Sequence, residues 1–242
     1  TKEHLMEATK DAPVPNYIHD LQPLPDQSEN SFLEAKQTLD YCKANIDKFC
    51  SPHDQAPTNL ILNGGPGCGK TFQMKMAALY AAALGLNIAM TAFICDRALE
   101  LGGIHLHNLF CLPAKITSVQ QGADYAIRNL KFNPLKVYLI LILHILFLDE
   151  MGNTSAEILC ILEIIFRYFR NNTAYMGGVL VIATMDHKQL PPIRSTPALM
   201  STLIITNFKM KLLQLSVRAR GDQNLIKLIA NSRINDITEE AL

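Results

Sequence analysis

Residues 64–71 read Gly64-Gly65-Pro66-Gly67-Cys68-Gly69-Lys70-Thr71, a stretch that fits G-x-x-x-x-G-K-[ST]. The glycines let backbone N–H groups turn inward around a phosphate. Lys70 can reach β and γ phosphates, and the Thr71 hydroxyl can ligate Mg²⁺. The chemistry this implies is binding of ATP with Mg²⁺. Cys68 stands inside the loop, where a small residue is tolerated; oxidation of its thiol is the other reading.

Two further stretches carry groups that fit the same chemistry. Leu146-Phe147-Leu148-Asp149-Glu150 is an apolar run closed by two acids. In phosphate-loop enzymes an acid at such a place holds Mg²⁺, and its neighbour orients or deprotonates the attacking water. Taken alone, it also reads as an ordinary strand ending in solvated acids. Val179-Leu180-Val181-Ile182-Ala183-Thr184 leads into Met185-Asp186-His187-Lys188-Gln189-Leu190-Pro191-Pro192. The prolines force an extended loop off the strand. The Gln189 amide can donate to a phosphate and accept from a water.

These groups need a scaffold that brings strand ends together. Asn59-Leu60-Ile61-Leu62 is a short apolar run of the buried-strand kind. Residues 72–84 are rich in helix formers and are closed by Gly85. Strand, glycine loop and helix in this order aim a helix N-terminus at an anion. Along the chain, strands are expected near 59–62, 87–92, 143–148, 178–184 and 211–215. Helices are expected near 31–49, 70–84, 96–101, 122–130, 154–170 and 222–232. The alternation predicts an α/β fold with a mainly parallel sheet flanked by helices. Residues 1–30 are Pro- and Asp-rich and read as an extended arm, with 31–242 as the globular unit. The apolar run from Val137 to Leu148 is twelve residues long, short of the roughly 17–25 that span a bilayer. It is read as containing a buried strand in its C-terminal half, so no membrane segment is expected.

The chain has 242 residues, 22 basic and 22 acidic side chains, and a net charge of zero. Any nucleic-acid contact must therefore come from a local groove. The six cysteines form no C-x-x-C pair and have no metal-ligand spacing. Scattered thiols of this kind suggest a reducing intracellular compartment.

In order along the chain, the phosphate loop, Leu146-Phe147-Leu148-Asp149-Glu150, Gly177-Gly178 with Gln189-Leu190-Pro191-Pro192, and Leu215-Ser216-Val217-Arg218 resemble the superfamily 1B DNA helicases of the petite-integration-frequency (Pif) and RecD type. Thr91-Ala92, Gly102-Gly103 and His107 to Pro113 are similar to the segment that lies along single-stranded DNA in that family. The resemblance covers roughly residues 33–242. It implies a RecA-like phosphate-loop ATPase lobe that uses ATP and Mg²⁺ and acts on single-stranded DNA or DNA junctions, in the nucleus or mitochondrion. Carried over position by position, Lys70 and Thr71 bind phosphate and Mg²⁺, Asp149 holds Mg²⁺ and Glu150 activates water. Gln189 senses the γ-phosphate, Arg218 contacts it, and Gln37 stands for the adenine-reading glutamine. Thr91, His107 and Phe110 face DNA, with base stacking on Phe110; for Phe110 a core position and for His107 a structural hydrogen bond are the alternatives.

The chain departs from the family pattern in places. Met185-Asp186 replaces Gly-Asp, His105 replaces a usual Thr, and residues 137–144 are unusually apolar. The family's second RecA-like lobe, with its own arginine finger, is absent before Leu242. The resemblance thus implies a lobe that does not unwind DNA alone. Two other readings remain at this point. An AAA-type ATPase would suit the loop and Val181-Ile182-Ala183-Thr184, but it expects Asn where Met185 stands, and Asp149 lies 78 residues after Thr71, a long interval for that group. A remnant lobe that binds nucleotide or a partner without turnover is the second.

Overall fold

Side chains in the central strands alternate between two separate apolar clusters, as the two-residue period of a strand requires. Leu60, Leu62, Ile145, Phe147, Leu180 and Ile182 point into one cluster. Ile61, Leu146, Leu148, Val181 and Ala183 point into the other. A sheet buried on both faces reads as continuous apolar runs, which is how these segments look in sequence. The structure is a computed structural model that describes residues 29–51, 57–189, 192 and 195–214. The arm before residue 29, the helix expected at 222–232 and Arg218 lie outside the described residues.

Six strands form the sheet: β1 Asn59–Gly64, β2 Ile88–Ala92, β3 Ile104–His105, β4 Ile145–Asp149, β5 Leu180–Met185 and β6 Phe208–Leu213. Their order is β3-β2-β4-β5-β1-β6, and all five neighbouring pairs are parallel. The helices among the described residues are α1 Glu29–Cys50, α2 Lys70–Ala83, α3 Cys95–Glu100, α4 Leu106–Phe110, α5 Val119–Lys131, α6 Pro134–Ile142, α7 Ala156–Arg170 and α8 Thr202–Asn207. Cys42 and Ile46 of α1, Met74, Ala77 and Ala81 of α2 and Ala98 of α3 cover one face of the sheet. Helices α4 to α8 cover the other, with Phe110, Ala126, Ile140, Ile161, Leu162 and Ile204 in its cluster.

The elements expected within the described residues are present with small shifts at their ends, and three differences have local causes. The apolar run at 137–148 is divided: its first part is α6, begun by Pro134 at the first turn, and β4 starts at Ile145. The break is held by Arg170 at the end of α7. Its Nη1 donates to the carbonyls of Ile140, Leu141 and Leu143 at 3.1, 2.8 and 2.9 Å, capping the end of α6. β6 begins at Phe208 rather than near 211, because pairing with β1 sets its register over six residue pairs. At its end Gln214 leaves the sheet, its N–H donating to Glu34 Oε1 at 2.9 Å. β3 and α4 are two and five residues long, too short for any periodicity to show.

Candidate nucleotide site

β1, β4 and β5 are neighbours in the sheet, and each ends in one of the chemically significant stretches. Ligands of open parallel sheets lie beyond the carboxyl ends of the strands, so parallel pairing converts three separated sequence motifs into one site. β1 runs into the glycine loop and the loop into α2, whose N-cap is Gly69. Gly67 and Gly69 have φ of 76° and 75°, a left-handed conformation open to glycine at little cost. Gly64 is restricted by space: a Cβ there would lie 2.7 Å from the Leu213 carbonyl oxygen and 3.4 Å from the Cβ of Cys68. Cys68 is buried, and Gly65, Pro66 and Gly67 form the more open rim of the loop. Lys70 folds back, its Nζ donating to the carbonyls of Gly64 at 2.8 Å and Gly65 at 2.7 Å. The amine is thus held over the cradle by the loop's own oxygens.

Thr71 begins α2 and faces the end of β4. Its Oγ1 donates to Asp149 Oδ1 at 3.2 Å and Oδ2 at 3.3 Å. Asp149 is 1% exposed and also accepts from the Thr184 hydroxyl of β5. The same Thr184 oxygen accepts the backbone N–H of Glu150 at 2.9 Å. Thr184 therefore fixes both acids: it binds the side chain of one and the main chain of the other. Glu150 has a φ of 53°, and its carboxylate turns away from Thr71. Oε1 accepts from Arg97 Nε at 3.1 Å and Oε2 from Asn153 Nδ2 at 3.3 Å. One acid is buried on the Thr71 hydroxyl while the other is held apart by its own partners, so two adjacent carboxylates are set up for different tasks.

The loop after β5 completes the cluster. Its backbone turns at Asp186, whose carbonyl accepts from Gln189 N at 3.1 Å and whose Oδ1 accepts from Lys188 N at 3.1 Å. Asn63, at the end of β1, ties this loop to the phosphate loop's strand. Its Oδ1 accepts from His187 N at 3.3 Å, and its amide nitrogen lies 2.9 Å from His187 Nδ1. Gln189 is exposed, on a loop that leaves the sheet between the strands of Asp149 and Lys70. Gln37 is exposed on α1, a helix that packs on α2.

The residues assigned to DNA divide. Thr91 is fully buried and its Oγ1 donates to the Phe147 carbonyl at 2.8 Å, which corrects the expectation that its side chain meets DNA. Phe110 is also fully buried, edge-on to Phe166 with ring centroids 5.3 Å apart. No face of its ring is open to a base, so the stacking role is replaced by the core position. Its truncation should cost stability: Phe110→Ala is expected to lower unfolding free energy by about 3–5 kcal/mol. Denaturant unfolding checks this, and a loss below about 1 kcal/mol would put the ring back at the surface. His107 is only partly buried. Its ring stacks on His105 at 5.4 Å and meets Phe93 edge-on at 5.3 Å. Burial, and then the neighbouring His105, hold its pKa below the usual histidine value.

Sequence reasoning missed four residues of this site. Thr184 and Asn63 leave a trace, as polar residues closing apolar strands. Arg97 leaves none, because Glu150 is 53 residues away and is met only through the fold; Asn153 is only three residues from Glu150, but nothing in its residue type marks it out.

Glycine cradle, lysine, threonine and two acids on a parallel sheet define a phosphate-loop site on a RecA-like fold. A family model for PIF1-like helicase matches residues 43–240, and the chain belongs to that family. A curated relative, the ATP-dependent DNA helicase PIF1 of Saccharomyces cerevisiae, is 28% identical over 191 residues, 75% of this chain and 22% of the relative. The ATP-dependent DNA helicase PIF1 of Danio rerio is 26% identical over 189 residues, 75% of this chain and 28% of its own length. Among solved structures, the Pif1 helicase of Candida albicans superimposes with a TM-score of 0.74 at 21% identity, covering 89% of this chain and 46% of that one. The Pif1 helicase of Bacteroides in complex with ADP-AlF3 and single-stranded DNA gives 0.64 at 22% identity, covering 81% and 47%. The chain thus spans about a quarter of these curated relatives' length and under half of the solved Pif1 chains. No helix among the described residues is long and apolar enough to cross a membrane.

Proposed function

We propose that this chain is the first RecA-like lobe of an ATP-dependent DNA helicase, with residues 31–242 as the lobe and 1–30 as an arm before it. It binds ATP with Mg²⁺, and in the whole protein hydrolysis drives movement along single-stranded DNA and unwinding of duplexes or junctions. The observation that carries the reading is the contact of the Thr71 hydroxyl with the buried Asp149 carboxylate, beside a lysine poised on the phosphate loop. Neither an ordinary strand end nor a chance glycine turn requires these groups to meet. The AAA-type alternative gives no role to the loop of Gln189.

The residues present fit Mg²⁺. Thr71 Oγ1 and Asp149 are hard oxygen donors, and Mg²⁺ is commonly held by one or two protein oxygens together with substrate phosphates and water. Bound there, the ion would neutralise phosphate charge. The chain's own groups do the rest. The backbone N–H groups of the glycine loop, Pro66 excepted, and Lys70 hold the phosphates, Glu150 takes up the proton of the attacking water, and Gln189 and Arg218 approach the γ-phosphate. Gln37 is assigned to the base, and His107 to the DNA side. Relatives named as DNA helicases and the free state of all six cysteines support a place in the nucleus or mitochondrion.

Lys70→Ala tests the assignment. It removes a charge-assisted phosphate contact of about 1.5–3 kcal/mol, so affinity for a fluorescent ATP analogue should fall roughly ten- to a hundredfold. Equal affinities for the variant and the wild type would overturn the site.

A further inference from the structure

Glu150 is held by a group that the nucleotide chemistry does not require. Arg97 Nε donates to its Oε1 at 3.1 Å, and Arg97 Nη1 donates to Glu100 Oε2 at 2.7 Å. The Glu150 side chain is 19% exposed and that of Arg97 40%, so the arginine is the more solvent-accessible member of the pair. Asn153 occupies the other oxygen of the carboxylate. A carboxylate oxygen that accepts a guanidinium N–H is held in one orientation and is a weaker acceptor of a water proton than an open one. Arg97 lies on α3, which follows directly on β2 and packs against β2 and β3. The Phe93–His105–His107 group borders the same segment, where His105 Nε2 meets the Phe93 carbonyl at 2.8 Å. Arg97 thus contacts the acid assigned to water and lies on the helix that follows Phe93, on the segment that leads to His105 and His107.

We propose that Arg97 is a positioning residue that clamps Glu150, and that a phosphate of single-stranded DNA releases the clamp by taking over the guanidinium. This rests on the helicase reading above, which assigns His107 to the DNA side and water activation to Glu150. A guanidinium pairs with carboxylate and phosphate through the same planar fork of donors, so exchange between them needs no new geometry. Removing Arg97 from Glu150 leaves the carboxylate with the Asn153 amide alone and one oxygen open to water. DNA binding and hydrolysis are then linked, and the linkage is reciprocal: whatever detaches Glu150 from Arg97 must also tighten DNA.

Fluorescence anisotropy of a labelled single-stranded oligonucleotide with the full-length protein, at low ionic strength where phosphate contacts are strongest, reads this without any turnover. Glu150→Gln weakens the clamp and should tighten DNA about three- to fivefold, the size of a partly exposed ion pair. In the Arg97→Ala background the same substitution should change affinity by less than about 1.5-fold. Arg97→Lys keeps the charge and should retain part of the gain, which separates the clamp from a defect in folding. An equal gain from Glu150→Gln in the wild-type and Arg97→Ala backgrounds would overturn the clamp and leave the helicase reading standing. No oligonucleotide binding by any of these proteins would overturn the DNA-facing reading and the clamp with it.

Discussion

Glu150→Gln is expected to leave nucleotide bound and to lower ATP hydrolysis by about 10²–10⁴-fold in the full-length protein, the range for loss of a positioned general base. The two acids at the end of β4 are not equivalent. Asp149 is buried, contacts the Thr71 hydroxyl and accepts from Thr184, the contacts on which its proposed place with the ion and the phosphates rests. Glu150 contacts neither of those hydroxyl groups through its side chain and is held by Arg97 and Asn153 instead. An amide has the size of the carboxylate, but its nitrogen is a donor and its oxygen does not take up a proton near neutral pH. Ground-state binding of nucleotide should therefore change little, while the step that removes a proton from water should fail. Phosphate release and equilibrium nucleotide binding, measured on the same variant, separate the two. Hydrolysis at the wild-type rate would mean that the roles given to Asp149 and Glu150 are wrong.

The parts of this site that were legible from sequence are those that depend on neighbours along the chain. Gly64 to Thr71 is read directly, because a phosphate cradle is built from consecutive N–H groups and needs glycine at fixed steps. The alternation of apolar runs with helix-forming segments identifies the parallel sheet, and buried strands such as Leu180–Met185 have nothing but apolar residues and a terminal Thr or Met to show. What stays hidden is set by contacts between distant segments. Thr184 bridges the two acids only because β5 lies beside β4 in register, with Leu148 opposite Ala183. Arg97 meets Glu150 only because β2 is the other neighbour of β4, with Ala92 opposite Asp149. The resemblance assigns Thr91 to DNA, and Phe110 to DNA or to the core, from a motif in which polar and aromatic residues look available. Burial decides against DNA for both, and burial is a property of the packed sheet and of α7 rather than of the motif. The division of residues 137–148 into helix and strand belongs to the same class: the run is apolar throughout, and the Arg170 cap that ends the helix comes from about thirty residues further along the chain.

The second large effect concerns what one lobe does alone. The 242-residue chain by itself is expected to bind nucleotide and yet to show little or no DNA-stimulated hydrolysis and no strand separation. Charge that develops on the γ-phosphate must be met from more than one side, and an arginine finger contributes about 10³–10⁵ in rate in related phosphate-loop enzymes. Among the described residues the groups proposed to hold the phosphates, the loop, Lys70 and the strand ends, all belong to this one lobe. Arg218 is the single first-lobe arginine that the resemblance assigns to the γ-phosphate, and this chain covers 46% of the Candida albicans Pif1 helicase and 22% of the Saccharomyces cerevisiae relative. Translocation further requires two bodies that close on ATP and open after its hydrolysis. A net charge of zero also gives one lobe no general attraction for the DNA backbone.

The most direct test combines two assays on one preparation of the 242-residue protein: titration with a fluorescent ATP analogue in the presence of Mg²⁺, and unwinding of a forked duplex with ATP. The account expects saturable nucleotide binding that Lys70→Ala weakens by ten- to a hundredfold, as argued from its phosphate contact, together with no detectable unwinding. Robust unwinding by this chain alone, or nucleotide binding indifferent to Lys70, would contradict it.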